Sequence, residues 1–310
     1  MTGSPSLIAL DWGTTSLRAH LLDDSGQVLG GRSEPWGVMQ VPNGDFRAAF
    51  DAVTVEWRDR HPDLPAIAAG MIGSTKGWVV APYCPAPAGA HELSTALVQA
   101  PGGTLHIVPG IATDGERPDV MRGEETQIVG ALDLFPSLSP RSLLVLPGTH
   151  SKWVDVRDGR IVDFTTYMTG ELFAVLSEHS ILGQLARSAQ ISVDTAAKAD
   201  AFALGVTTAR NSAVGMAQTI FSARALVLTE HLAAGASLAY LSGLLIGDEL
   251  RCGLAGGLRP DALVGDPLQC ARYVAALALF GVGDVAVIDG AAQRGLWSIA
   301  RRAGLTVGAH

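Results

Sequence analysis

Residues 7–16, Leu7-Ile8-Ala9-Leu10-Asp11-Trp12-Gly13-Thr14-Thr15-Ser16, form an apolar run that ends in an acid and a turn of small, hydroxyl-bearing residues. Consecutive apolar residues closed by such a turn read as a buried strand, and Asp11 falls at its carboxyl end. The same design returns about one domain length later. There Leu143-Leu144-Val145-Leu146 leads into Pro147-Gly148-Thr149-His150-Ser151, without the acid. Each turn is followed by an alternating segment, an aspartate–glycine turn (Asp23-Asp24-Ser25-Gly26, then Asp158-Gly159) and a further β-rich stretch. A duplicated hairpin unit with two glycine turns, able to hold phosphate groups from two sides, implies a two-domain nucleotide phosphotransferase. The acid kept only in the first copy assigns the metal to that half.

Outward from these units, residues 7–31 read as two strands joined by the Asp23–Gly26 turn with a third strand following. Phe46, Ala49, Phe50, Val53 and Trp57 recur at helical spacing, which predicts an amphipathic helix over 45–60, ended by Pro62 and Pro65. A buried strand is expected over 67–72, a short helix over 91–99, a strand over 105–108 and a helix over 124–132. Pro136 and Pro140 bracket a polar link, so the domains are expected at 1–138 and 139–310. The second half reads as strands over 142–168 and then mostly helix: 171–187, 194–204, 213–232, 236–252, 267–280 and 291–302. Short strands at 263–264 and 285–288 interrupt the series. The alternation predicts an α/β fold with mixed sheets flanked by helices. The last helix has the means to pack back onto the first domain, which sequence alone does not decide.

Composition narrows the function. Of 310 residues 48% are hydrophobic and 17% charged, enough for two buried cores. No apolar run approaches the ~18 residues of a membrane span, and the N-terminus lacks the basic segment of a secretory leader. Neither membrane insertion nor export is therefore expected. The net charge of −8 excludes non-specific nucleic-acid binding and obliges an anionic substrate to find a local positive pocket. Cys84, Cys252 and Cys270 are odd in number and lack C-x-x-C spacing. They read as reduced thiols in a cytoplasmic protein without structural zinc.

The chemistry-bearing residues follow. Asp11 is positioned to hold Mg²⁺, largely through water, while Gly13, Thr14 and Thr15 offer N–H and hydroxyl donors to phosphate. In Met121-Arg122-Gly123-Glu124-Glu125-Thr126-Gln127, two acids open a helix. They can simply complement the helix dipole. Alternatively, one of Glu124 and Glu125 takes the proton from a substrate hydroxyl attacking a γ-phosphate. Adjacent helix positions point ~100° apart, so both do not face one reacting atom. Arg122 suits a carboxylate through bidentate pairing, and Gln127 is placed to orient the substrate. His150 and Lys152 follow the second turn and can reach phosphate, Lys152 equally being readable as a solvated strand residue. Trp78 can wall a sugar pocket or join the core.

Over nearly its whole length the chain resembles the 2-dehydro-3-deoxygalactonate kinases, a branch of the actin-like, hexokinase and Hsp70 ATPase superfamily. Carrying the resemblance are Asp11–Thr14, Gly70–Ser74 with Gly77-Trp78 and Ala81–Tyr83, Met121–Gln127, Leu146–Trp153, Met168–Leu172 and Leu241–Gly247. It implies two actin-like (ribonuclease H-like) domains around a central cleft. Asp11 and the first turn resemble the first phosphate motif, Gly148-Thr149 the second, and Leu263-Val264-Gly265-Asp266 an adenosine motif. Gly73, Ser74, Trp78, Arg122 and Gln127 are then expected to bind substrate. The activity implied is ATP- and Mg²⁺-dependent phosphorylation of 2-dehydro-3-deoxy-D-galactonate to its 6-phosphate, in galactonate breakdown. Two alternatives stand beside it, a kinase of the same superfamily acting on another sugar or amino sugar, and a nucleotide switch that hydrolyses ATP to move its domains.

Overall fold

The computed structural model describes residues 3–103, 105–187 and 194–306. The first half runs β1 (Pro5–Trp12), β2 (Leu17–Asp23), β3 (Val28–Glu34), α1 (Phe46–Arg60) and β4 (Ala66–Ala69). Short pieces follow: β5 (Cys84–Pro85), β6 (Ala88–Gly89), α2 (Ala90–Thr95), β7 (Val98–Gln99), β8 (His106–Ile107), β9 (Ile111–Thr113) and β10 (Asp119–Met121), then α3 (Glu124–Leu134). The second half opens with β11 (Arg141–Leu146), β12 (Ser151–Arg157) and β13 (Arg160–Tyr167). Helices α4 (Thr169–His179), α5 (Ile181–Arg187), α6 (Thr195–Asn211), α7 (Met216–Thr219), α8 (Ser222–Leu228) and α9 (Ser237–Gly253) come next. The chain closes with β14 (Ala262–Val264), α10 (Pro267–Leu279), β15 (Ala286–Ile288) and α11 (Ala291–Arg302).

The duplication seen in sequence is a duplication of topology. One six-stranded sheet has the order β3-β2-β1-β4-β8-β7 and the other β13-β12-β11-β14-β15 with β6 added beside β13. In both, a three-strand meander is extended on its first-strand side by later strands, β4, β8 and β7 in one and β14 and β15 in the other. β1 pairs antiparallel with β2 and parallel with β4, where Asp11 stands opposite Arg18 on one side and Ala69 on the other. A third, three-stranded sheet joins β10, β9 and β5. By contacts the chain divides into two compact units: residues up to Leu144 with Val154–Thr165 and from Ile288 onward, and Val145–Trp153 with Thr166–Val287.

Each unit is built from what its sequence supplies. In the first, Ile8, Leu10 and Trp12 of β1 and Leu17, Ala19 and Leu21 of β2 join Phe50, Val53 and Trp57 of α1 in a core. The α1 face is the one that helical spacing picked out, and Asp45 caps the helix by accepting from the Ala48 N–H. The last helix, α11, lies against α3, α2 and β1. Gly130 of α3 and Gly295 of α11 meet so closely that a Cβ on either would fall 1.8 Å from a carbonyl oxygen of the other helix. In the second unit α6 and α9 pack tightly, through Gly205 on one side and Gly243 and Gly247 on the other.

Some boundaries differ from expectation for local reasons. The Asp23–Gly26 turn joins the second and third strands, and the first two are joined by Gly13–Ser16. The strand expected over 67–72 stops at Ala69 because Gly70 turns to φ +96°. The helix expected over 171–187 breaks at Ser180, whose hydroxyl donates to the Leu176 carbonyl and accepts from the Leu182 N–H. The helix expected over 213–232 is likewise two pieces, α7 and α8, with the Ser222 hydroxyl donating to the Thr219 carbonyl at the join. Among the described residues no helix is long and apolar enough to cross a membrane.

Candidate active site

In the first unit the site residues expected from sequence gather at the carboxyl ends of the parallel pair β1 and β4, the edge where open α/β sheets bind ligands. Asp11 is the penultimate residue of β1, half-buried, with its Oδ2 3.6 Å from Nη1 of Arg18 across the hairpin. Its pKa is raised, burial outweighing the opposing pull of the Arg18 guanidinium. The turn behind it is closed by the Gly13 N–H donating to the Ser16 carbonyl, at 2.9 Å. It is braced from the following loop by Val38 N–H to Gly13 O (3.0 Å) and by the Trp12 indole N–H donating to Trp36 O (2.7 Å). Thr14 and Thr15 at its tip are exposed.

Two glycines draw the neighbouring segments onto Asp11. Gly70, at φ +96°, ends β4 beside the Trp12 carbonyl, where a Cβ would sit 2.8 Å from the oxygen. Gly123, at φ +108°, starts α3 against Gly70, its own Cβ position 3.3 Å from the Gly70 Cα. No L side chain is comfortable in that backbone region. The strand ends and the α3 N-terminus therefore meet through bare backbone, which brings Arg122, Glu124 and Glu125 to the end of β1.

Arg122 is a half-buried cation with an incomplete set of partners. Its Nη2 donates to the Ala81 carbonyl at 2.8 Å, and its guanidinium lies over the Tyr83 ring, 4.4 Å from the centroid. Gly73 makes room for it, since a Cβ there would be 2.9 Å from Nη1. Nε and Nη1 are buried without a hydrogen-bond partner, and no carboxylate among the described residues forms an ion pair with Arg122. Buried guanidinium N–H groups left open are costly unless a ligand fills them. Ser74 sits half-buried beyond Gly73. Trp78 packs on the hydrophobic core, tilted against Phe50 at 6.1 Å.

The two glutamates are held differently. Glu124 is half-buried, its Oε2 accepting from the Arg122 N–H at 3.0 Å. Glu125 is 0% exposed, accepting from the Gly123 N–H at 2.7 Å and from the Thr126 hydroxyl at 3.0 Å. Burial first, and the neighbouring Glu124 charge second, push its pKa up to about 8. Gln127 is half-buried one turn beyond Glu124, on the same side of α3.

In the second unit the Gly148-Thr149 turn follows β11 and is packed against the start of α4. A Cβ on Gly170 would lie 2.4 Å from the Gly148 carbonyl, and the Glu171 N–H donates to Thr149 O at 2.9 Å. The His150 imidazole pairs with the Glu171 carboxylate. Lys152 is only 4% exposed and its Nζ donates to the Thr166 hydroxyl at 2.7 Å, so it is not a solvated strand residue. Gly265 (φ +138°) turns β14 into α10, whose Asp266 cap accepts from the Leu268 and Gln269 N–H groups. A small cavity of about 60 Å³ beside Gly148, lined by Thr169, Gly170, Gln269, Arg272 and Tyr273, shares Phe173, Ser242 and Arg272 with a larger one. That second cavity, about 720 Å³, is mostly apolar, with Phe202, Leu238 and Leu279 in its wall and Lys198 and Arg272 as its cations.

Two arrangements were invisible to sequence reasoning, the seat of Arg122 and the surroundings of Glu249. Ala81 and Tyr83, which position Arg122, lie about forty residues from it. Glu249 of α9 is buried beneath the second turn with four hydrogen-bond donors around it. Its one signal is an acid inside the apolar spacing of residues 236–252.

A twice-built meander with glycine turns after each first strand is the actin-like ATPase arrangement. The chain belongs to the 2-keto-3-deoxy-galactonokinase family, whose profile matches residues 11–299. It is 37% identical over 297 residues to the Escherichia coli (strain K12) 2-dehydro-3-deoxygalactonokinase, covering 94% of this chain and 97% of that one. A Rhizobium meliloti (strain 1021) protein named as a probable 2-dehydro-3-deoxygalactonokinase is also 37% identical, over 97% of this chain and 98% of its own. The crystal structure of a Sinorhizobium meliloti protein provisionally named for the same activity superposes with a TM-score of 0.84 at 36% identity, covering 95% and 98% of the two chains. Component A of the Acidaminococcus fermentans (R)-2-hydroxyglutaryl-CoA dehydratase shares the fold alone, with a TM-score of 0.52 at 12% identity and 97% and 100% coverage.

Proposed function

We propose that this protein transfers the γ-phosphoryl group of ATP to the terminal hydroxyl of 2-dehydro-3-deoxy-D-galactonate, giving the 6-phosphate in galactonate breakdown. The reading places the enzyme in the cytoplasm and carries with it the central cleft that the resemblance implies. Family membership supports the activity, and one observation carries the substrate class. The buried guanidinium of Arg122, with open N–H groups and no acidic partner, stands at the same strand ends as Glu124 and Asp11. A planar donor fork of this kind suits a sugar acid and gives a neutral sugar nothing in return for its desolvation.

In this reading Arg122 grips the substrate carboxylate while Gly73, Ser74 and Gln127 shape the site around it. Trp78 backs it from the core. Glu124 accepts the hydroxyl proton as the new C–O–P linkage forms and the bond between the β,γ-bridging oxygen and the γ-phosphorus breaks, releasing ADP. Glu124 is preferred over Glu125 because a base must touch its hydroxyl, and Glu125 is wholly enclosed. Burial first, and the Glu124 charge second, raise the Glu125 pKa to about 8 and so favour its protonated form at neutral pH.

Gly13, Thr14 and Thr15 donate to phosphate oxygens from the first turn, and Gly148 and Thr149 from the second, with His150 and Lys152 beside it. The adenosine end then follows the joined cavities from Gly148 toward the apolar pocket next to the helix that opens at Gly265. Among the described residues no cluster of three or more acidic, histidine or cysteine side chains could cage a metal. That fits Mg²⁺, which keeps most of its water and takes one or two carboxylates plus phosphate, so Asp11 is the residue to hold it. Once bound, the ion neutralises charge on the β- and γ-phosphates.

The test is a substrate panel assayed by ADP release. Turnover of the keto-deoxy acid should exceed that of glucose, N-acetylglucosamine and the corresponding neutral deoxy sugar by about 100-fold or more, the scale of rejection when a buried charged site is left unpaired. Comparable rates across the panel, or ATP hydrolysis that ignores the acid, would sink the assignment.

A further inference from the structure

Glu249 lies in α9 at 2% exposure, far in sequence from every phosphate-turn residue. Its Oε1 accepts from the Ser151 hydroxyl at 2.7 Å and the Trp153 indole N–H at 2.9 Å. Its Oε2 accepts from the Thr169 hydroxyl and, at 2.7 Å, from the Tyr273 hydroxyl. Four donors occupy the acceptor sites of one carboxylate. No cation among the described residues forms an ion pair with it, so neutral dipoles alone support the group.

The donors come from the three segments that build the second turn and its cavity. Ser151 and Trp153 are alternate residues of β12, the strand that leaves Gly148-Thr149, and so share a face, while Lys152 points to the other side and reaches Thr166. Thr169 opens α4, next to the Gly170 that presses on the Gly148 carbonyl. Tyr273 belongs to α10, and both Thr169 and Tyr273 line the cavity beside Gly148. One side chain thus ties the strand after the turn, the helix against the turn and the far wall of the cavity to α9. Because Thr169 directs its proton at Glu249, toward the cavity it offers only lone pairs.

We infer that Glu249 is a positioning residue for nucleotide binding: through Ser151, Trp153, Thr169 and Tyr273 it holds the Gly148-Thr149 turn in the geometry that receives the nucleotide phosphates, without touching them. This rests on the reading of Gly148-Thr149 as a phosphate turn. The experiment therefore pairs Glu249→Gln with Gly148→Val in the full-length enzyme, measuring KM for ATP and for the sugar acid, kcat and the thermal midpoint. Thr169→Val serves as the milder variant, removing one donor at constant shape. Glu249→Gln should raise KM for ATP at least tenfold, Thr169→Val about threefold, and leave KM for the sugar acid within twofold. A rise in Gly148→Val without one in Glu249→Gln and Thr169→Val overturns the inference and keeps the turn. No rise in Gly148→Val overturns both. Equal rises in both KM values, or a lowered thermal midpoint with unchanged KM for ATP in Thr169→Val, would reduce Glu249 to a purely structural anchor and overturn the inference.

Discussion

Glu124 and Glu125 are adjacent in sequence and opposite in surroundings, and this makes their roles separable by titration. Glu125 in the folded protein holds its proton up to about pH 8, against an ordinary value of 4.5. The native state therefore binds more protons than the unfolded chain between those limits. Stability from this group is fully present below pH 4.5, declines toward pH 8 with a slope approaching ~1.4 kcal/mol per pH unit, and is flat above. Glu125→Gln imitates the protonated carboxyl, so denaturant melts should show it gaining on the wild type from pH 5 to pH 8 and matching it at pH 4. In activity the order reverses. Glu124→Gln should lower kcat by about 100-fold or more, the contribution of a positioned base, while Glu125→Gln should stay within about tenfold of the wild type. A kcat/KM profile that rises through pH 8 and flattens in Glu125→Gln would instead assign the base to Glu125.

At the scale of elements, the site depends on where α3 is held, and α11 holds it. A Cβ on Gly295 would sit 1.8 Å from the Thr126 carbonyl, on the helix turn that carries both glutamates. Gly295→Ala must push the helices apart, with a cost of about 1–3 kcal/mol or more from overpacking. Gly283→Ala, where nothing lies within 4 Å, is the control and should stay within about 0.5 kcal/mol of the wild type. If α3 is the lever on the site, Gly295→Ala will also lower kcat at temperatures where circular dichroism shows it folded. Full activity in the folded variant would mean that the α3 N-terminus is set by Gly70 and Gly123 alone. The same helices mark the reach of sequence reasoning. The spacing of 291–302 foretold a helix, and its end at Arg302 agrees, but an apolar face says that a helix packs, not onto what. The duplicated meander was readable because alternation, apolar runs and Asp-Gly turns are local signals. Glu249 was not, since its four donors are 98, 96, 80 and 24 residues away. Arg122 was readable as a candidate for carboxylate pairing from its chemistry, whereas its unsatisfied burial under Tyr83 exists only once the chain has folded.

At the scale of the whole molecule, a chain of net charge −8 must bind two anions, and the range of that charge differs from the range of Arg122. At an ionic strength of about 0.01 M the Debye length is roughly 30 Å, so charges over the whole surface repel an approaching sugar acid; at about 0.15 M it is roughly 8 Å and most of them are screened. In the proposed reading the half-buried Arg122 acts at hydrogen-bond distance, where screening is far weaker. Raising salt across that interval should therefore lower KM for the sugar acid by about two- to fivefold, with kcat unchanged, as long-range repulsion is removed and the short-range grip persists. In Arg122→Ala the grip is gone, so KM should be higher by about tenfold or more at every salt concentration, consistent with loss of a charge-assisted hydrogen-bonded pair, while the downward trend with salt survives. An upward trend in the wild type that disappears in Arg122→Ala would mean that the local positive field of the site outweighs the acidic surface.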